Sequence, residues 1–457
     1  MMNELDKISH LPEHIMDQIL SRLPIKDAVG TSILSRKWRY KWSSVPQLVF
    51  DEQCTRARGV PSLQQSLNEN LVKIIDEVLL LHTGPIEKFM LSHTGFCATS
   101  NIDHWILHLS RVSIKAIVLH IWKGFDYKIP TSLFKCQDLI HLELHRCFVK
   151  IPSTFEGFKN LESLDLQHVD MSSNGLEALI SCCPLLKRLN LCNLEGIKQI
   201  NVEAGNLEWL LLRGGLRDVA FGIMNRLKSI TVGFYDEIAN KCIPGNANSS
   251  NLHKFFRNLP KIQSLKLENY SLKYLAIGNV PQPPPNELVH LNYLFTCIDF
   301  NSPEKILTVM CLIRSSPQLK CVDFQSRAEN QQTTWIGTMA NFWEDHQACC
   351  LEQVQVVSMG GIYGSKPEQE MMKFLLASSP KLQTMMIRPN STSGEGKLFR
   401  ELLRFRRASA QAEVIFLDPV DPEANPTLMW EDWVSSINQA PLMSHRSTKL
   451  HSFLRIQ

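Results

Sequence analysis

A chain of 457 residues is too long for one hydrophobic core, so two or more units or a repeat array are expected. Its 44% hydrophobic and 20% charged residues are a globular balance, and a formal charge of +3 gives no electrostatic case for nucleic acid or a membrane surface as partner. No apolar run approaches the roughly 18 residues of a spanning helix, and MMNELDKISH lacks the features of a secretory signal, so an intracellular protein of nucleus or cytoplasm with reduced cysteines is expected.

The first elements are helical. Pro12 stands near a first helical position, and Ile15, Ile19 and Leu23 follow at i, i+4 and i+8 with Met16 and Leu20 beside them, until Pro24 stops the helix. Asp27 is placed to cap a second short helix carrying Ala28, Val29, Ile33 and Leu34, and Ser35 a third in which Trp38 and Trp42 share a face. Pro46 then breaks helix, and Gln47 to Phe50 reads as a first strand. A unit of this size cannot bury so many apolar side chains alone. On physics alone they meet either a partner's groove or the rest of this chain. The basic residues Arg36, Lys37, Arg39 and Lys41 read as a solvated face between the tryptophans.

These residues carry a resemblance. The Leu-Pro start, the ILSRLPIKDAV centre and the LSRKWRYKW end resemble the plant F-box. That resemblance implies binding to the Skp-type linker subunit of an SCF (Skp–cullin–F-box) ubiquitin ligase, and through it to cullin. Carried over by position, the linker contacts would be Leu11, Pro12, Ile15, Ile19, Leu20, Leu23, Pro24, Val29, Leu34 and Trp38. Gly30 departs from the long side chain often found there; a glycine within a helix costs about 1 kcal/mol relative to alanine, which would lower linker affinity.

From there the chain repeats Leu-x-x-Leu-x-Leu or an apolar equivalent. Copies stand at Leu139/Leu142/Leu144, Leu161/Leu164/Leu166, Leu186/Leu189/Leu191, Leu207/Leu210/Leu212, Leu227/Ile230/Val232 and Ile262/Leu265/Leu267. Further copies are Leu319/Val322/Phe324, Leu351/Val354/Val356 and Leu382/Met385/Ile387, with weaker ones at Ile86/Phe89/Leu91, Ile114/Ile117/Leu119 and Leu288/Leu291/Tyr293. Central residues 142, 164, 189, 210 and 230 are spaced as in leucine-rich repeats, and later steps lengthen to about 31, so the array is expected to become irregular. Pro184, Pro260, Pro317 and Pro380 each precede a copy by two residues, and helical stretches precede at least three of them. Ser365-x-x-Glu368 is a capping box before one. Helix, proline stop, strand is the unit of an α/β solenoid, with parallel strands on the concave face and helices outside.

The stretch LEQVQVVSMGGIYGSKPEQEMMKFLLASSPKLQTMMIRP resembles the FBD region of plant F-box/FBD/LRR-repeat proteins: strand, Gly-Gly turn, acidic helix start, then a Met-x-Ile strand. The basic helix and final strand of LFRELLRFRRASAQAEVIFL continue it. The expected organisation is an F-box at 1–50, a leucine-rich solenoid at 51–345, an FBD region at 346–420 and an unassigned tail at 421–457, where Trp430-Glu-Asp-Trp433 reads as a loosely packed terminus.

No phosphate loop, HExxH, GxSxG or CxxC occurs, so neither catalytic residue nor cofactor is expected. Cys136, His141, His145 and Cys147 are the best metal candidates, but His141 and His145 alternate with leucines and read as solvent-facing strand residues. The same alternation turns outward the rows His141/Glu143/His145, Ser163/Asp165/Gln167, Arg188/Asn190/Cys192 and Trp209/Leu211/Arg213. A target protein would dock on Glu143, Asp165, Asn190, Trp209, Leu211 and Arg213, unless a loop at 243–251 or 280–285 covers them. The resemblance implies a substrate-recognition subunit of a ubiquitin ligase. A small-molecule receptor and a stand-alone binding scaffold are the other readings.

Overall fold

Two prolines mark the first helices. In the computed structural model, Pro12 and Pro24 both hold extended backbone (ψ 148° and 144°), and α1 (Glu13–Leu20) and α2 (Ile25–Gly30) begin directly after them. The structure describes residues 11–55, 64–124, 126–235, 251–277, 288–327, 351–390, 395–419 and 455–456. Its contacts divide the chain into two units, Met1–Leu227 and Lys228–Gln457.

The first unit opens with three departures from expectation. Helix α1 ends at Leu20, so Leu23 lies in the turn after it; a proline disfavours helical backbone in the residue before it. Asp27 lies in the first turn of α2, whose boundary is set by Pro24. No third α-helix forms. Trp38 and Trp42 instead sit in successive tight turns, Trp38 N–H donating to Ser35 O and Lys41 N–H to Trp38 O, both at 3.2 Å. A helix there would place Lys37 over Lys41, a like-charge i, i+4 pair. The turns send Lys37 Nζ to Leu11 O (2.8 Å) and Lys41 Nζ to Glu13 Oε1 (3.1 Å), tying the segment back to α1.

Strand β1 (Gln47–Phe50) is followed by α3 (Glu52–Thr55), α4 (Gln64–Leu81), β2 (Lys88–Ser92), α5 (Asn101–Leu109), β3 (Ala116–His120) and β4 (Tyr127–Lys128). Then come β5 (His141–His145), β6 (Cys147–Phe148), β7 (Ser163–Gln167), α6 (Ser173–Ser181), β8 (Arg188–Cys192), β9 (Gln199–Val202), β10 (Trp209–Gly214) and β11 (Asp218–Phe221). Strands β1-β2-β3-β5-β7-β8-β10 pair in that order, all parallel, with Leu48, Phe89, Ile117, Leu142, Leu164, Leu189 and Leu210 in one row. Every member of that row is buried. The helical start is therefore continuous with the array: β1 is its first strand, and Ser43 Oγ meets Thr83 Oγ1 at 3.0 Å beside it.

Each strand of the central repeats leaves the sheet through one left-handed residue, Arg146 (φ 56°), His168 (φ 51°) and Asn193 (φ 54°). Such backbone is uncommon outside glycine. Here it turns each N–H onto the next strand: Arg146 to Gln167 O (2.9 Å), His168 to Cys192 O (2.8 Å) and Asn193 to Arg213 O (2.8 Å). One strained residue per repeat thus keeps the ladder closed beyond the strand ends.

The second unit runs β12 (Ser229–Phe234), α7 (Asn251–Phe256), β13 (Ser264–Asn269), α8 (Ser271–Leu275), β14 (Tyr293–Ile298), α9 (Pro303–Arg314) and β15 (Cys321–Ser326). It continues through β16 (Val356–Ile362), α10 (Lys366–Ser378), β17 (Thr384–Pro389), α11 (Glu395–Leu402) and β18 (Glu413–Phe416), and β12 to β18 pair in sequence order, all parallel. Two expected copies prove to be three residues early. The ladder sets Leu265 against Leu294 and Val322 against Val357, so the buried sets are Leu291/Leu294/Thr296 and Val354/Val357/Met359. Leu288 and Leu351 are buried in the preceding turns, with N–H groups on Ser315 O (2.6 Å) and Ser378 O (2.7 Å), and so mimic the start of a copy. In the observed register residues 265, 294 and 322 are 29 and 28 apart, and 357, 385 and 414 are 28 and 29 apart. The steps from 230 to 265 and from 322 to 357 are each 35, so this half of the array mixes two repeat lengths and is irregular.

The capping box at Ser365 and Glu368 forms as expected. Buried Glu368 also accepts from Tyr363 N–H and from Ser326 Oγ (2.7 Å), locking the start of α10 to β15. Gly360-Gly361 is not a turn but a register shift inside β16. Gly361 takes φ 67°, and a Cβ there would lie 2.5 Å from Gln325 Nε2 and 2.9 Å from Ser326 O.

Candidate functional site

The helical start has two faces. Met16, Leu20, Ile25, Ala28, Trp38 and Trp42 are buried. In the same segment Ile33 is 89% exposed, Leu34 51% and Ile19 37%. Of the residues expected at a partner, Pro12, Ile19 and Leu34 are exposed, and Leu11, Ile15, Leu23, Pro24 and Val29 half-buried. Leu20 and Trp38 correct that expectation. Both are closed into the core, where the short α1 and the Ser35–Lys41 turns need apolar side chains to hold them. Ile33 was missed because it was read as an apolar position of a second helix. Its neighbour Leu34 gave the available signal, since adjacent residues cannot share one buried helix face. Gly30 ends α2 with ordinary helical backbone (φ −58°), and open space surrounds the site of a Cβ.

The second surface is the open face of the first unit's sheet. Register places Val118, Glu143, Asp165, Asn190 and Leu211 in one row across β3, β5, β7, β8 and β10. His141, Ser163, Arg188 and Trp209 form the row before it, and His120, His145, Gln167, Cys192 and Arg213 the row after. The expected rows are thus brought together. Glu143, Asp165, Asn190, Trp209 and Arg213 are half-buried, whereas Leu211 is buried, contrary to its expected exposure. Trp209 and Arg213 flank it on the same face, with side chains long enough to close over a leucine.

Glu143 is held by two imidazoles, His120 Nε2 on Oε1 at 2.7 Å and His141 Nε2 on Oε2 at 3.4 Å. Those bonds draw its carboxyl down to about 2. His120 is oriented by Ser92 Oγ on Nδ1 at 2.8 Å. Asp165 accepts from Asn190 Nδ2 (2.7 Å) and Gln167 Nε2 (3.0 Å), yet burial outweighs these bonds and raises its carboxyl. His145 is buried rather than solvent-facing. Its ring lies 4.5 Å from that of Trp122 and 5.3 Å from that of His168, and burial, then the neighbouring His168 and His120, lower its basicity. Burial likewise pushes the Cys136 and Cys147 thiols up to about 12. Among the described residues no group of three or more His, Cys, Asp or Glu is placed to hold a metal ion, and no helix is long and apolar enough to cross a membrane. Cys349, Cys350, the loop at 280–285, most of that at 243–251, and Trp430 with Trp433 lie outside the described residues.

Residues 8–50 match the F-box domain family, and residues 102–234 match the leucine-rich repeats of the FBD-associated F-box protein At5g56370. The chain is 35% identical over 421 residues to the F-box/FBD/LRR-repeat protein At1g13570 of Arabidopsis thaliana, covering 90% of this chain and 98% of the relative. It is 26% identical over 453 residues to the F-box/FBD/LRR-repeat protein At5g56420 of the same plant, covering 91% of this chain and all of that relative. With its F-box start continuous with a parallel, leucine-rich array, the chain belongs to the plant F-box/FBD/LRR-repeat protein family.

Proposed function

We propose that this chain is the substrate-receptor subunit of an SCF-type ubiquitin ligase, a non-catalytic adaptor working inside the cell. The F-box binds a Skp-type linker, and through it cullin, by Leu11, Pro12, Ile15, Ile19, Leu23, Pro24, Val29 and Leu34, with Ile33 added. Leu20 and Trp38 shape that surface from beneath. The open strand face holds the target protein. Its action is proximity: tethering raises the effective concentration of target lysines near the ubiquitin-loaded enzyme. We assign the F-box to 1–50, the solenoid to 51–345, the FBD region to 346–420 and the tail to 421–457.

The observation that supports this reading is apolar side chain left outside a closed core. Ile33, Leu34 and Ile19 are exposed on a domain whose other apolar face already packs into the chain. Large apolar groups clustered at a surface mark an interaction site. A pull-down against purified Skp-type linker tests it, comparing wild type with an Ile33→Asp/Leu34→Asp variant. Wild-type binding that the variant loses, with both chains folded by circular dichroism, supports the assignment. A folded wild type that does not bind the linker overturns it.

A further inference from the structure

The first unit's open face carries two carboxylates in register, and the geometry points to an arginine side chain of the target protein, presented on an extended segment, seated between Glu143 and Asp165 beside Trp122. This rests on the reading of that face as the target-binding surface and names what it recognises. Glu143 and Asp165 stand opposite each other on β5 and β7, so their backbones are about 4.8 Å apart. A guanidinium has the width and planar donor fork to touch both.

The charges around them are unbalanced. Glu143 is bonded by His120 and His141, and Asp165 by the neutral amides of Asn190 and Gln167. Among the described residues no lysine or arginine pairs with Asp165. Its raised carboxyl, pushed further by the neighbouring Glu143, is the state that an added cation relieves.

A second observation is independent of the acids. His145 lies on the same face of β5, two residues beyond Glu143, and is more than nine-tenths buried. Its Nδ1 has no hydrogen-bond partner among the described residues. Burial keeps this ring neutral, so one of its nitrogens accepts, and a buried Nδ1 in that role needs a donor. Guanidinium supplies five donors and no acceptor. Trp122, 39% exposed and packed against both His120 and His145, adds a ring over which a cation is attracted. An acidic segment would meet two carboxylates, and a lysine ammonium lacks the planar fork that matches two carboxylates in register.

A displayed library of random twelve-residue peptides, panned on the full-length chain, tests this. Arginine enriched at one aligned position with wild type, and lost with Asp165→Asn, is the expected result. A selected peptide should then bind Asp165→Asn at least tenfold more weakly, and its Arg→Lys version should bind wild type at least tenfold more weakly. Asp165→Asn removes a buried charge and keeps one of the two acceptor oxygens used by Gln167 and Asn190, so circular dichroism checks that it stays folded. Exposed Glu156→Gln serves as the control and should change nothing. Enrichment of acidic or purely apolar peptides, equal binding by Asp165→Asn, or no enrichment overturns the inference. Linker binding by the same proteins is measured alongside. If it persists, only the arginine inference has failed; if wild type loses it, the ligase reading has failed on its own account.

Discussion

Asp323 stands directly opposite Ser358 in the parallel ladder of β15 and β16, and the pair is buried on the face where alternation would leave it open. Burial raises the Asp323 carboxyl to about 7, against bonds from Ser358 and Tyr293 and the charges of Lys266 and Arg388 that act to lower it. In the unfolded chain this group titrates near 3.8. The folded state therefore holds the proton over a window in which the unfolded state has released it. Stability from this residue is complete below about pH 4, falls as pH rises, and levels off above about pH 7. Asp323→Asn should flatten that slope and be more stable than wild type at pH 8, by up to about 4 kcal/mol for a carboxyl moved from 3.8 to about 7. Thermal melts at pH 5 and pH 8 check it; parallel curves for the two proteins would refute the assignment.

Trp38 and Ile33 should behave as opposites. Trp38→Ala removes a fully buried ring and should cost about 3–5 kcal/mol, opening the F-box to hydrogen exchange. Ile33→Ala removes an exposed side chain and should leave stability within about 0.5 kcal/mol while weakening linker binding. Exchange protection across α1 and α2, measured beside linker affinity, separates the two effects.

Gly30→Ala should stabilise the F-box. The position is helical and the site of the added methyl is empty, so the gain is conformational and about 0.5–1 kcal/mol. Urea unfolding followed by tryptophan fluorescence reads it out. A loss of stability would mean that the methyl meets a neighbour.

Gly361→Ala should do the reverse. Its left-handed backbone and the nearness of Gln325 and Ser326 leave no room for a methyl, so a loss of at least about 1 kcal/mol is expected. The loss should appear in the second unit, since β15 and β16 must separate to admit it. Limited proteolysis around residues 321–362 is the measurement.

The sequence by itself determined the architecture. Leucines spaced three and two apart, four of the sets preceded by a proline stop, specify parallel strands because no single copy buries its own apolar side. The ladder from Leu48 to Leu210 follows that spacing. The F-box resemblance was also legible, being carried by local order along the chain. The open-face rows were readable for the same reason: alternation is a property of one strand. What tertiary structure decided was every choice between equivalent local patterns. Leu351 and Val354 both fit the first position of a copy, and the pairing of Val322 with Val357 chose the second. Periodicity placed Leu20, Trp38 and Leu211 on faces, but how far a face is covered is set by packing that periodicity does not report, and all three are buried. His145 shows the limit most clearly. It was read as solvent-facing from its place in the strand, and it is buried because Trp122, His120 and His168, from neighbouring repeats, gather around it. Local spacing carries the repeat, whereas burial depends on neighbours that spacing does not encode.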